Sequence, residues 1–371
     1  MVKGTVRVLA LAAVASVALT ACGSKPGSTS SSGASGSASA SASDGAGGGQ
    51  ALNACMVLDT GGVDDRSFNQ SAWQGMKDAQ AANSNIKISY VPSQSDQDYI
   101  PNLKNEVAKG CGTTIAVGGL MTDAVKATAG QYPSKMFAII DSNTGQKNVY
   151  GIQFNTAEGG FLGGYLAAAY SKTGKVATFG GLKIPPVTVY MDGFQEGVQY
   201  YNQKKGKNVQ VLGWDETKQD GTFAQSFVDQ NKGKTISQQF IQSGADVIFP
   251  VAGGTGLGAG AAAQASGGKV SVLWVDTDGC TSAPQFCKVF LSSVVKNITK
   301  AVTTYVTGAA SGTFPTGSYI GTLENDGTGL APFHTFDSKV PSSLKTELQQ
   351  VTSDITSGKI KLLSKAQPSA G

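Results

Sequence analysis

From residue 51 onward, short apolar runs alternate with longer amphipathic stretches, and this alternation constrains the fold more than any other feature. The spacing predicts strands at 55–58, 86–90, 113–117, 136–140, 148–152, 175–179, 208–212, 246–251, 270–275 and 288–291. Helices are expected between them, at 67–83, 98–109, 122–130, 157–171, 190–203, 229–243, 255–266 and 293–308. A strand from Tyr319 to Leu323 and a closing helix from Leu344 to Ile355 complete the series. Strands alternating with helices imply α/β architecture, parallel sheets covered by helices on both faces. So long a stretch exceeds one hydrophobic core, and two lobes follow. Their expected extents are 51–150 with 278–320, and 151–277 with 321–371.

The chain before residue 51 has the composition of a delivery segment. Lys3 and Arg7 precede an apolar run from Val8 to Leu19, and small residues lead into Cys22. A basic start, a short apolar core and small residues before the cut describe a secretory signal over 1–21, too short to span as a mature helix. The sequence Leu19-Thr-Ala-Cys22 resembles the bacterial lipobox, which implies that Cys22 is lipidated and becomes the mature N-terminus. Residues 23–50 are nearly all Gly, Ser and Ala. Such a segment cannot bury a core and behaves as a flexible leash, spanning roughly 30 Å root-mean-square.

Charge and cysteine usage narrow the function. Removing residues 1–21 takes away Lys3 and Arg7, so 29 basic against 25 acidic residues becomes 27 against 25. Near-neutral balance gives no electrostatic case for nucleic acid. Arginine occurs only at Arg7 and Arg66, leaving one guanidinium in the mature chain. That scarcity counts against ligands built around carboxylates or phosphates. Four cysteines remain after Cys22, an even number in an exported chain, which suggests two disulfides. Cys280 and Cys287 form the local pair, leaving Cys55, at the first strand, for Cys111, just before the strand at 113–117. A four-cysteine metal site is disfavoured by the lack of a Cys-x-x-Cys pair.

The segment Asp59-x-Gly-Gly-x-Asp-Asp-x-Ser-Phe-Asn69, with Trp73 and Gly75 beyond it, resembles the signature of the basic membrane protein family. The likeness continues through Phe137 to Asp141, Phe161 to Ala167, Gly180 to Pro185, Gly193 to Gly197, Gly244 to Gly258, Trp274 to Asp276 and Ser292 to Asn297. These are substrate-binding lipoproteins of ABC importers, a group that includes purine nucleoside receptors. The resemblance implies the type I periplasmic-binding-protein fold: two doubly wound parallel-sheet lobes joined by three crossovers. It further implies a monomer tethered outside the cell membrane by lipid alone, a small-molecule nucleoside as ligand, ABC permease subunits as partners, and no cofactor.

Ligands of open α/β sheets bind at the carboxyl ends of strands. Asp59 ends the first strand and suits ligand hydroxyl or ring N–H donors, or bonds to local backbone. Asp64 and Asp65 precede a helix and read as capping carboxylates. Phe68, after the expected cap Ser67, is an exposed aromatic unless a flat base stacks on it; Asn69 offers a donor and an acceptor to a ligand, or equally a helix cap. Asp141 closes the strand at 136–140, where one carboxylate can accept from two ribose hydroxyls. Gly253 and Gly254 let backbone approach a ligand. Asp276 is a third strand-end acid, and Lys296 is expected early in a helix, where a cation opposes the dipole. Phe227 or Phe194 is the candidate second wall of a base sandwich, with Phe227 preferred. Trp73 and Trp274 read as core, and Trp214 as a surface residue on a polar loop.

A hydrolase is the rival class, because Asp59, Asp141 and Asp276 could converge as catalytic acids. The lone histidine, His334, has no nucleophile motif beside it. A sensory lipoprotein, or one binding a sugar or flavin, is the other alternative.

Overall fold

The computed structural model describes residues 51–369. Strand β1 (Leu52–Leu58) is buried along nearly its whole length, as an apolar run covered on both faces must be. It is followed by α1 (Phe68–Ala82), β2 (Ile86–Pro92), α2 (Tyr99–Ala108), β3 (Thr113–Val117), α3 (Thr122–Gln131), β4 (Met136–Ile140) and β5 (Val149–Phe154). Then come α4 (Thr156–Tyr170), β6 (Lys175–Gly180), α5 (Pro185–Lys205), β7 (Gln210–Leu212) and a small ribbon of β8 (Trp214–Asp215) and β9 (Asp220–Gly221). The chain continues through α6 (Gln230–Gln242), β10 (Val247–Val251), α7 (Leu257–Ala265), β11 (Ser271–Asp276), the short α8 (Gly279–Ser282) and β12 (Phe290–Lys296). It ends with α9 (Ile298–Ala310), β13 (Ser318–Gly321), β14 (Thr328–Leu330) and α10 (Ser342–Thr356).

Two six-stranded sheets result. The first has the order β13-β5-β4-β3-β1-β2 and is wholly parallel. The second runs β14-β12-β11-β10-β6-β7, parallel except for the edge strand β14. The chain passes between sheets three times, at 154–156, 296–298 and 321–328. Both disulfides are present: Cys55–Cys111 ties β1 to the start of β3, and Cys280–Cys287 closes the loop before β12. No helix among the described residues is long and apolar enough to cross a membrane. The signal, the lipobox cysteine Cys22 and the leash lie outside the described residues.

The structure moves one boundary. Residues 278–296 belong to the second lobe, because β12 pairs with β11, and only from Ile298 does the chain return to pack on α1. The sequence Phe290–Lys296 reads ambiguously because a short apolar run fits a strand or a helix start equally well. Lys296 therefore ends a strand; it does not open a helix.

Helix α4 is apolar on every side, the composition of a helix buried in a core. It meets α5 at backbone distance. A Cβ at Gly193 would collide with the Ala157 carbonyl, one at Gly197 with the Phe161 carbonyl, and one at Gly164 with the Phe194 carbonyl. The glycines around Phe194 thus serve helix packing. Phe194 is fully buried against Phe249.

Candidate functional site

The carboxyl ends of both sheets face one cleft, with an empty volume of about 600 Å³ including its mouth. The first lobe contributes Asp59, Asp65, Phe68, Asn69, Gly118 and Asp141; the second contributes Tyr190, Phe227, Gly253, Asp276 and Lys296. Of the residues expected from sequence, Phe194 and Gly254 do not line it. Phe194 belongs to the second lobe's core, and Gly254 packs beneath the Phe227 carbonyl. Trp214 is also buried, donating its indole N–H to Asp192 over 3.0 Å, so it offers no surface.

The cleft's polar groups form one connected set. Asn69 Nδ2 donates to Asp59 Oδ1 over 3.0 Å. Asp65 caps α1, accepting the backbone N–H groups of Ser67, Asn69 and Gln70. Lys296 Nζ reaches Asp141 Oδ2 at 2.7 Å and Asp276 Oδ1 at 3.9 Å, joining carboxylates from both lobes. The same ammonium lies 5.1 Å from the Phe68 ring centre and 5.2 Å from that of Tyr190, within cation–π range. Tyr190 O–H donates to Asp276 Oδ1 over 2.8 Å.

Burial sets the protonation. Desolvation pushes the Asp59 carboxyl up to about 8, with Asn69 opposing the shift and the neighbouring acids Asp65 and Asp141 adding to it. Asp59 is therefore mostly neutral at pH 7 and can both donate and accept. Desolvation likewise raises Asp65 to about 6, held back by its backbone donors, so it remains largely ionised at pH 7. Burial raises Asp141 as well, and the Lys296 ammonium pulls it back.

Backbone geometry serves the same end. Asp141, just after β4, and Asp276, the last residue of β11, both adopt φ of 65°. That left-handed bend costs a non-glycine residue roughly 1–2 kcal/mol and ends each strand abruptly. Gly118, at φ 121°, lies directly against the Asp59 carboxyl, where any Cβ would clash. Tyr190 and Gly118 were not identified from sequence. Tyr190 reads as one more core position of an apolar helix stretch, and its partner lies 86 residues away.

Comparison with known proteins agrees with this geometry. A family model described as Bmp, ABC transporter substrate-binding protein PnrA-like, matches residues 52–365. A "CD4+ T-cell-stimulating antigen" of Listeria monocytogenes is 34% identical over 328 residues, covering 84% of this chain and 88% of the relative. The "ABC transporter nucleoside-binding protein BmpA" of Lactococcus lactis is 32% identical over 332 residues, covering 85% and 90%. Among solved structures, an ABC transporter solute-binding protein of Aeropyrum pernix superposes with a TM-score of 0.77 at 25% identity, covering 84% of this chain and 93% of that one. The fold is that of type I periplasmic binding proteins. Matched over residues 52–365, with its two lobes meeting at one cleft, the chain belongs to the Bmp family of PnrA-like ABC transporter substrate-binding proteins.

Proposed function

We propose that the protein captures a nucleoside, a purine one by preference, between its lobes and hands it to an ABC permease from a lipid anchor at Cys22. The observation that carries this reading is the composition of the cleft. Two aromatic rings from opposite lobes, Phe68 and Phe227, line it together with four carboxyl groups and one ammonium. Aromatic faces suit a planar base, and each base–aromatic stack contributes on the order of 1–3 kcal/mol. Acidic side chains suit ribose hydroxyls and ring N–H groups, which are donors. In this assignment Asp141 and Asp276 accept from the sugar or base, Asp59 and Asn69 read a donor–acceptor edge, and Lys296 meets a base carbonyl while holding Asp141. Gly253 brings backbone close to the ligand. A phosphate would meet the carboxylates of Asp141 and Asp276 and is excluded by repulsion.

The Lactococcus relative carries nucleoside binding in its name, which supports the same class. A monosaccharide would leave the apolar walls without a partner. Mass spectrometry of small molecules released on denaturing the freshly purified protein tests the reading. A nucleoside at near-stoichiometric level is expected; a retained sugar, flavin or phosphorylated compound in its place would reject it. Membrane fractionation of Cys22→Ala tests the anchor, and release into the soluble fraction is expected.

A further inference from the structure

Ser67 stands where α1 begins, a position at which serine ordinarily turns its hydroxyl back onto its own helix. Here it does not: the side chain makes no capping bond, and Asp65 takes over that task through its three backbone N–H partners. The freed hydroxyl, fully buried, crosses to the second lobe. It lies 2.6 Å from Asp276 Oδ2 and 3.3 Å from the Val275 carbonyl. The preceding residue takes part as well. Arg66 sits at φ 60°, the left-handed bend, and its carbonyl accepts from Trp274 Nε1 at 3.3 Å and from Thr277 Oγ1 at 3.2 Å. These partners are more than 200 positions apart in sequence and belong to opposite lobes.

We infer that Arg66 and Ser67 form a clasp that holds the lobes shut and positions Asp276. Resting on the reading of the cleft as a capture site, this makes Ser67 and Thr277 positioning residues, since neither lines the cavity. Asp276 is gripped at both oxygens, by Ser67 from the first lobe and by Tyr190 from the second. Opening the cleft breaks the Ser67 bond, so the carboxylate is oriented for a ligand only when the lobes meet. Its bonds join protein groups alone, so the proposal extends to the ligand-free protein. It sets how much of the free protein is closed and how long a captured molecule stays.

The test measures lobe separation directly. Spin labels on Lys87→Cys and Lys207→Cys, exposed sites in opposite lobes, report the distance by pulsed electron resonance in ligand-free protein. The unaltered clasp is expected to show a closed-distance population, Thr277→Val and Ser67→Ala to shift it to longer distances, and Thr277→Ser to restore it. With inosine as probe, Thr277→Val should release it roughly two- to tenfold faster, the equivalent of one neutral hydrogen bond, and Ser67→Ala, which loses a bond to a carboxylate, roughly ten- to a hundredfold faster, with little change in association rate. Identical ligand-free distance distributions in the unaltered protein and both disrupting variants would overturn the clasp. If inosine does not bind at all, the nucleoside reading fails, and the ligand-free distances still decide the clasp.

Discussion

The two lobes are built on one plan and furnished differently. Strands β1, β3, β4 and β5 of the first sheet occupy the places of β6, β10, β11 and β12 in the second. At the ends of β4 and β11 the correspondence extends to the residue and its conformation, with Asp141 and Asp276 both at φ 65°. Elsewhere the strand ends diverge. Asp59 closes β1 where Gly181 follows β6, and Phe154 ends β5 where Lys296 ends β12. The first lobe thus supplies most of the acidic groups, and the second supplies the ammonium with open backbone at Gly253. A repeated backbone fixes where a ligand can sit; the unmatched positions decide which ligand it is.

The sharpest way to break this comparison is to remove Lys296, the one cation lining the cleft among the described residues. Lys296→Met leaves Asp141 buried without a charged partner whenever the lobes close. It should weaken ligand binding by about 3–5 kcal/mol, more than a hundredfold. Asp141→Asn should cost less, because Lys296 retains Asp276 3.9 Å away. Calorimetric titration of both variants decides the order, and a larger loss in Asp141→Asn would reverse the assigned asymmetry.

A second contrast is mechanical. Cys55–Cys111 closes a separation of 56 residues, whereas Cys280–Cys287 closes only 7. In the chain-entropy account, losing the first should cost about 4 kcal/mol and losing the second about 2.5 kcal/mol. Urea unfolding of the two double Cys→Ser variants measures both. Equal losses would show that loop length does not govern their contributions.

A further effect depends on pH and is carried by both lobes, since burial raises Asp59 in the first and Glu216 in the second, each to about 8. Unfolded carboxyls titrate near 4, while Asp59 is raised to about 8 and Asp65 to about 6 in the folded first lobe. The folded state then binds more protons than the unfolded state between those limits. The stability contributed by these acids is fully present below about pH 4 and is lost as pH rises towards 8. Asp59→Asn should flatten the decline of ligand-free stability between about pH 5 and 8, read from urea midpoints. An unchanged slope would show that Asp59 does not carry it.

The fold was legible because each apolar run is short and each helix pattern long, so element type is seldom ambiguous. The exception, Phe290–Lys296, was also the place where the lobe boundary went astray. Cleft-lining residues at strand ends, such as Asp59, Asp141 and Asp276, are legible because strand ends face the cleft in this topology. Tyr190 and Gly118, which line the cleft, and Ser67 beside it are not legible in that way. Tyr190 and Ser67 depend on the distant partner Asp276, and the need for glycine at 118 comes from the Asp59 carboxyl lying against it. Phe194 was misread because a Gly-Phe motif suits a ligand wall and a tight helix contact equally well, and only the Gly193–Ala157 approach distinguishes them.

We propose that both lobes share recognition, each giving one aromatic wall for a base and at least one acid for the donors around it. Calorimetric titration with inosine, guanosine, adenosine, cytidine, the free bases, ribose and inosine 5′-phosphate tests it most directly. The account predicts that a purine nucleoside binds tightest, that the free base and ribose each bind more weakly than the intact nucleoside, and that the 5′-phosphate weakens binding further. Tighter binding of ribose or of the nucleotide than of every nucleoside would contradict it.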